Sequence, residues 1–349
     1  MRKASLALVL FVTAASAHAE QKNVQLLTGM TDVQLQQTMN FMRASLGVHC
    51  DFCHVVDDKD GWNFASDAKE NKRTARKMIQ MVQDINQKNF DDNPSVACNT
   101  CHRGAQRPVS MPILPQPAPP FPTPVRQRLT LPSRDDLVAR YTAALGDISA
   151  YGLPRTLKGT REGWDKSNTP FEAQMSAGKW HSVSQTPDGR QEQIVTAEGG
   201  WVKTDKDKNF TKMNDSRMEL FQQLANAFEP LSPLSIPKEV RILSTEKIGD
   251  RDTVIMTMRL DEKRRQRLFF DTSNGLLVRR QILTRVPVGE VPLQIDYDDY
   301  RDLGGVKFPF TIRVSLVDPW VSATRRYSEV QLGAKVDESV FTRPAGTQP

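Results

Sequence analysis

The sequence predicts a multidomain chain: a mainly α N-terminal domain, then an α+β domain built on an antiparallel sheet. Three observations carry this. All four cysteines and three of the five histidines fall within residues 20–107. A proline-rich run follows, with Pro115, Pro117, Pro119, Pro120, Pro122 and Pro124 in close succession. Beyond it the hydrophobic pattern changes from helical spacing to short alternating runs. These boundaries predict an address segment over 1–19, a first domain over 20–107, a linker over 108–132 and a second domain over 133–349.

The first nineteen residues read as an export signal rather than as structure. Arg2 and Lys3 precede the apolar run Leu6 to Val12, and Ala17-His18-Ala19 offers a small-x-small cleavage site. Cleavage after Ala19 would leave Glu20 first and place the protein in the periplasm. The run is too short to span a bilayer, and no cysteine follows it to carry a lipid anchor. Loss of Arg2 and Lys3 lowers the formal charge from +6 to +4, with the remaining basic residues scattered. That balance argues against nucleic acid as a partner. About 330 mature residues exceed what one core usually serves.

Within the first domain, Thr31 and Gln34 form a capping box. Leu35, Met39, Met42 and Leu46 then recur at helical spacing until Gly47 ends the run. A second helix is expected from about Ser66 to Asn89, with Ala75, Met78, Ile79, Val82 and Ile85 on one face. The prolines of the linker favour extended polyproline II. A helix near Ser133 to Leu145 opens the second domain, and another is expected near Asp215 to Phe228. Between and after them come strand-like runs such as Val254 to Met258 and Leu268-Phe269-Phe270. Turn signals separate them at Pro187-Asp188-Gly189, Gly199-Gly200, Asn274-Gly275 and Gly304-Gly305.

The chemistry sits in two short motifs, Cys50-Asp51-Phe52-Cys53-His54 and Cys98-Asn99-Thr100-Cys101-His102. Two thiols three positions apart can both form thioethers with the vinyl groups of one haem, and the following histidine then faces the iron. Cys50, Cys53, Cys98 and Cys101 are therefore the candidate haem attachment sites, with His54 and His102 as proximal iron ligands. Cysteine is so scarce in the chain that one chance CxxCH has a probability of about one in a thousand. A redox CxxC would call for one such pair on a βαβ pattern, which is absent. Both motifs follow a helix and a loop, a weak internal duplication. Two haems use every thiol, so no disulfide is expected.

Spacing leaves the distal ligands open. Met39 and Met42 precede the first motif, and Met78 and Met81 the second; either member of each pair suits a thioether ligand, and either suits core packing. His49, adjacent to Cys50, reads as a solvated loop histidine with a ligand role as the alternative. His181, beside Trp180, has no cysteine near it in sequence and reads as structural.

The first domain resembles the cytochrome c subunit of photosynthetic reaction centres over about residues 22–108. The resemblance rests on Asn23 to Leu27, Thr38-Met39, Ser66-Asp67 with Lys69, Ala75 to Met81, Ile85-Asn86 and Cys98 to Gly104. It implies that Met39 and Met78 are the distal iron ligands and returns Met42 and Met81 to packing. Photosynthetic members carry four haems in two such halves, whereas this chain has one half, so a diheme electron-transfer module is implied and a photosynthetic role is not. Residues 134–344 resemble the LolA-like family of exported lipoprotein carriers, on Tyr297 to Pro309 and Val336 to Phe341. That likeness implies a half-barrel wrapped around helices, able to shelter a lipid or other hydrophobic ligand.

The expected function is single-electron transfer between two covalent haems and redox partner proteins in the cell envelope, by an electron carrier rather than an enzyme. A diheme peroxidase with one open iron position is the enzyme-class alternative, and a redox-linked lipid or lipoprotein carrier is the other.

Overall fold

The computed structural model describes residues 22–57, 61–108, 110–112, 114–118, 130–186, 189–225, 231–319, 322–345 and 347. The export signal, with Ala19, lies outside them, as do Pro119, Pro120, Pro122 and Pro124 of the linker.

The N-terminal region holds three helices: α1 (Asp32–Leu46), α2 (Glu70–Asn89) and α3 (Cys98–His102). Helix α1 starts and stops on its sequence signals. Thr31 Oγ1 accepts from Gln34 N at 3.2 Å, Thr31 N donates to Gln34 Oε1, and Gly47 ends the helix in the left-handed conformation. Helix α2 begins at Glu70, four residues later than expected, because the backbone carbonyls just before it are taken by side chains from within it. Lys72 Nζ donates to the carbonyls of Phe64, Ala65 and Ser66. A small antiparallel ribbon of β1 (Val55–Asp57) and β2 (Gly61–Asn63), absent from the sequence reading, follows the first CxxCH.

The second region begins with α4 (Arg134–Leu145), capped by Ser133 and Asp136. Its strands form two runs. The first is β3 (Arg155–Glu162), β4 (Asn168–Ser176), β5 (Lys179–Thr186), β6 (Gly189–Thr196), β7 (Gly199–Thr204) and β8 (Thr211–Lys212). After α5 (Asp215–Ala225) comes the second: β9 (Arg241–Ile248), β10 (Arg251–Arg259), β11 (Arg264–Asp271), β12 (Leu277–Val286), β13 (Gly289–Asp302), β14 (Lys307–Leu316) and β15 (Ala323–Leu332). Each run is a meander of antiparallel neighbours. They join where β15 pairs with β3, so among the described residues one thirteen-stranded sheet runs from β8 to β9. The expected Gly199-Gly200 turn falls earlier, at Ala197-Glu198, and both glycines already belong to β7.

The sheet is curved. Laid flat at about 4.8 Å per strand, thirteen strands would extend nearly 60 Å. Yet buried side chains from β3 to β14 form one apolar cluster with Leu137, Tyr141 and Leu145 of α4. Tyr141 meets Phe270 of β11 edge-on at 5.2 Å, and Phe171 of β4 meets Tyr327 of β15 at 5.8 Å. Phe221 of α5 packs on Trp180 of β5. The helices fill the concave side of an open antiparallel half-barrel, as the α+β expectation required.

The helical region rests on this sheet. Its own core is small: Leu27, Met30, Phe41 and Ile79 are buried only together with Val286, Val288 and Val291 of the β12–β13 hairpin. The hairpin tip, Val286-Pro287-Val288-Gly289, is apolar where such turns are usually polar, and Val288 is fully buried. Polar contacts frame the seat. Arg285 pairs with Asp92 at 2.7 Å, Asn40 Nδ2 donates to Asp318 at 3.2 Å, and Thr31 Oγ1 donates to Glu219 at 3.1 Å.

Gly289 makes the close approach possible. Its φ is +141°, and a methyl there would lie 2.7 Å from Ala97 Cβ and 3.3 Å from the Phe41 ring. Gly289→Ala is expected to destabilise the protein by about 1–3 kcal/mol in urea unfolding; an unchanged midpoint would show that the hairpin is not seated as described.

Candidate haem centres

Both CxxCH motifs occupy single helical turns. The first starts as a 3-10 turn over Cys50–Phe52, with His54 N donating to the Cys50 carbonyl at 3.0 Å. The second is α3 itself. A helical turn brings positions i, i+3 and i+4 to one side, so both thiols and the imidazole of each motif share a face. All four cysteines are free thiols, and burial raises Cys53 and lifts Cys98 to about 11. Among the described residues no three His, Cys, Asp or Glu side chains converge as a metal-ion site.

Helix α2 holds both loops in place. At its start, the Lys69 ammonium donates to the Asp51 carbonyl, and Asn71 Nδ2 donates to the Phe52 carbonyl at 3.1 Å, both inside the first motif. Near its end, Asn86 is 4 % exposed and clamps Val96 twice, donating to its carbonyl at 2.8 Å and accepting from its amide at 2.9 Å. This fixes the loop two residues before Cys98. On the far side of the second motif, Gly104 N donates to the Ser45 carbonyl of α1 at 2.8 Å. A methyl on Gly47 would meet the Gly104 carbonyl at 2.1 Å, so the two chain segments pass in direct backbone contact.

The segment between the first motif and α2 is tied by charge. Asp67 pairs with Lys72 at 3.0 Å and Arg76 at 2.9 Å, and Asn23 Nδ2 donates to it at 2.9 Å. Hydrogen bonds from Arg76 first, then Asn23 and Lys72, hold the Asp67 carboxyl well below the usual carboxylate range. Asn23, Asp67, Lys69, Arg76, Asn86 and Gly104 all come from the stretches that carried the sequence resemblance. Lys72, Phe64 and the hairpin tip were missed. Lys72 sits in an otherwise solvated-looking helix pattern, while the apolar turn at 286–289 was a readable signal for burial.

The two motif histidines have different surroundings. His102 Nδ1 lies 3.0 Å from the Ala105 carbonyl. With the proton on Nδ1, that bond orients the ring and leaves Nε2 free for iron. His54 meets the Phe64 ring edge-on at 5.1 Å, and its Nδ1 is buried near the Phe64 carbonyl without reaching hydrogen-bond geometry. Burial is the main cause that lowers the His54 pKa, followed by Lys72. His49 is exposed, and His181 Nε2 is hydrogen-bonded to Glu192 Oε1 at 2.9 Å in the sheet.

The methionine pairs are not separated by burial. Met39 and Met42 are both half-buried on the cluster that also touches Cys98, while Met78 and Met81 are both exposed, at 38 % and 42 %. Around the motifs, Val56, Trp62, Phe64 and Phe90 are also exposed, with Trp62 and Phe64 stacked. Such a concentration of uncovered apolar side chains beside free thiols and histidines fits a flat apolar prosthetic group.

Two outcomes follow. Asp67 has a folded pKa below its unfolded value of about 3.8, so its stabilisation is present above that pH and is lost on acidification. Thermal melts from pH 6 downward should weaken below about pH 4, and Asp67→Asn should flatten that acid limb. Asn86→Ala should cost about 1–3 kcal/mol and speed amide exchange at Val96; unchanged exchange would discount the clamp.

Residues 10–120 match the family described as photosynthetic reaction centre cytochrome C subunit. Over 89 residues the chain is 37 % identical to cytochrome c-554 of Chloroflexus aurantiacus, covering 24 % of this chain and 20 % of that protein. Over 94 residues it is 34 % identical to the photosynthetic reaction center cytochrome c subunit of Roseobacter denitrificans, covering 25 % of each. The chain thus spans a quarter or less of the length of these curated relatives. Among solved structures, a LolA superfamily protein of Nitrosomonas europaea aligns over 60 % of this chain and 97 % of its own, at 13 % identity and a TM-score of 0.36. A DUF1329 family protein of Desulfovibrio piger aligns over 59 % and 95 %, at 12 % identity and a TM-score of 0.40. The helical region is similar to the cytochrome c subunits of photosynthetic reaction centres.

Proposed function

We propose that the chain is an exported diheme c-type cytochrome that relays single electrons in the cell envelope, with the half-barrel as its seat. The observation that supports this most is the pairing of two CxxCH turns, each with both thiols and a histidine on one face. Each thiol would add across a vinyl group of haem, its sulfur bonding one carbon and its proton passing to the other. Cys50 and Cys53 would hold the first haem, Cys98 and Cys101 the second. His54 and His102 would be the proximal ligands, and Met39 and Met78 the distal ones. Bound there, haem supplies one-electron ferric–ferrous chemistry.

The protein's own residues then act by positioning. Lys69 and Asn71 hold the first motif against α2, Asn86 and Gly104 hold the second, and the Ala105 carbonyl orients His102. A thioether on each iron would leave no open position for substrate, which favours relay over peroxidase chemistry. Export after Ala19 into the periplasm belongs to the same reading, since covalent attachment keeps haem from being lost by dilution. The half-barrel's concave side is filled by Tyr141, Leu145 and its own aromatic residues, so a hydrophobic ligand would have to displace them.

Optical spectra of the purified protein should show two low-spin haems with a Met–iron band. Replacing Cys98 and Cys101 by alanine should halve the haem content. Rapid carbon monoxide binding at an iron of the reduced wild type would reveal an open position there and favour the peroxidase alternative.

A further inference from the structure

Lys72 is an unusual residue for its place. It lies in the first turns of α2, yet it is only 9 % exposed. Its ammonium donates to the carbonyls of Phe64 at 2.9 Å, Ala65 at 3.1 Å and Ser66 at 2.9 Å, and pairs with Asp67 at 3.0 Å. Phe64, whose carbonyl takes one of these bonds, presents its ring to His54 at 5.1 Å. Phe64 therefore connects a buried cation to the histidine of the first motif.

Its charge is not cancelled locally. Asp67 is shared between Lys72 and Arg76, so the three groups carry one net positive charge. The Lys69 ammonium, on the Asp51 carbonyl, adds a second cation to the same loop. The second motif is held differently. Its clamp is the neutral amide of Asn86, and the Arg285–Asp92 pair beside its loop is balanced. Arg103, next to His102, is exposed and so screened by solvent and salt.

Resting on the diheme reading above, we propose that Lys72 is a positioning residue and fixed cation of the first motif, raising the reduction potential of a haem on His54 relative to one on His102. The physical reason is that the ferric site carries one more positive charge than the ferrous site. A cation in a poorly solvated position disfavours the oxidised form more strongly than one in water.

The test is a redox titration of the full-length holoprotein. In Lys72→Gln, which keeps a neutral donor, one of the two waves should fall by about tenfold in its reduction equilibrium constant, about 59 mV for one electron. The other wave should stay in place. Lys72→Arg should restore the first wave. Asp67→Asn, which removes the partnering negative charge, should move that wave upward. Loosened packing alone would shift both neutralising variants in the same direction, so opposite signs separate charge from structure, and Asp67→Asn stands if Lys72→Gln does not fold. Shifts of equal sign, or no shift in a protein that carries two haems, would overturn the inference. A wild-type protein without two haems would instead refute the diheme reading on which it rests.

Discussion

The CxxCH loops depend on backbone satisfaction supplied by one helix. The segments that flank the two CxxCH turns are irregular chain, so their carbonyls and amides lack the partners a helix or sheet would give. Helix α2 meets that need at both ends: Lys69, Asn71 and Lys72 take carbonyls around the first motif, and Asn86 takes both backbone groups of Val96 ahead of the second. The polar face of α2 thereby sets the separation of the two motifs, and its length transmits that spacing as a rigid rod.

That arrangement needs a second support, because the helical region has too few apolar side chains to bury itself. Phe41 and Ile79 reach full burial against Val286, Val288 and Val291. The hairpin tip reaches as far as Ala97, the residue before Cys98. The second motif is consequently braced by the sheet, while the first is braced within the helical region by the Lys72–Asp67–Arg76 group. Two motifs alike in sequence are held by unlike means, one through an apolar seat and a neutral amide, the other through buried charge. Among the described residues no helix is long and apolar enough to cross a membrane.

Much of this could be read from local signals. The capping box at Thr31, the stop at Gly47, both CxxCH motifs and the change to alternating runs each report on neighbours within a few residues. The antiparallel class of the second region was equally legible. What could not be read is non-local. Nothing in the alternation of β9 or β15 says that the chain returns from the far edge to pair β15 with β3. Lys72 and Asn86 look like ordinary surface residues of an amphipathic helix, since burial of a polar side chain depends on which loop covers it. Burial also leaves Met39 beside Met42 and Met78 beside Met81 without distinction, so the choice within each pair rests on the resemblance.

On the proposed reading, both motifs of one exported chain carry covalent haem. Mass spectrometry of the intact, mature protein, purified from the periplasm, tests it most directly. The account predicts a chain beginning at Glu20 with the mass of two haems added and no free thiol available to an alkylating reagent. A mature chain with one haem or none, and two or four thiols that alkylate, would contradict it.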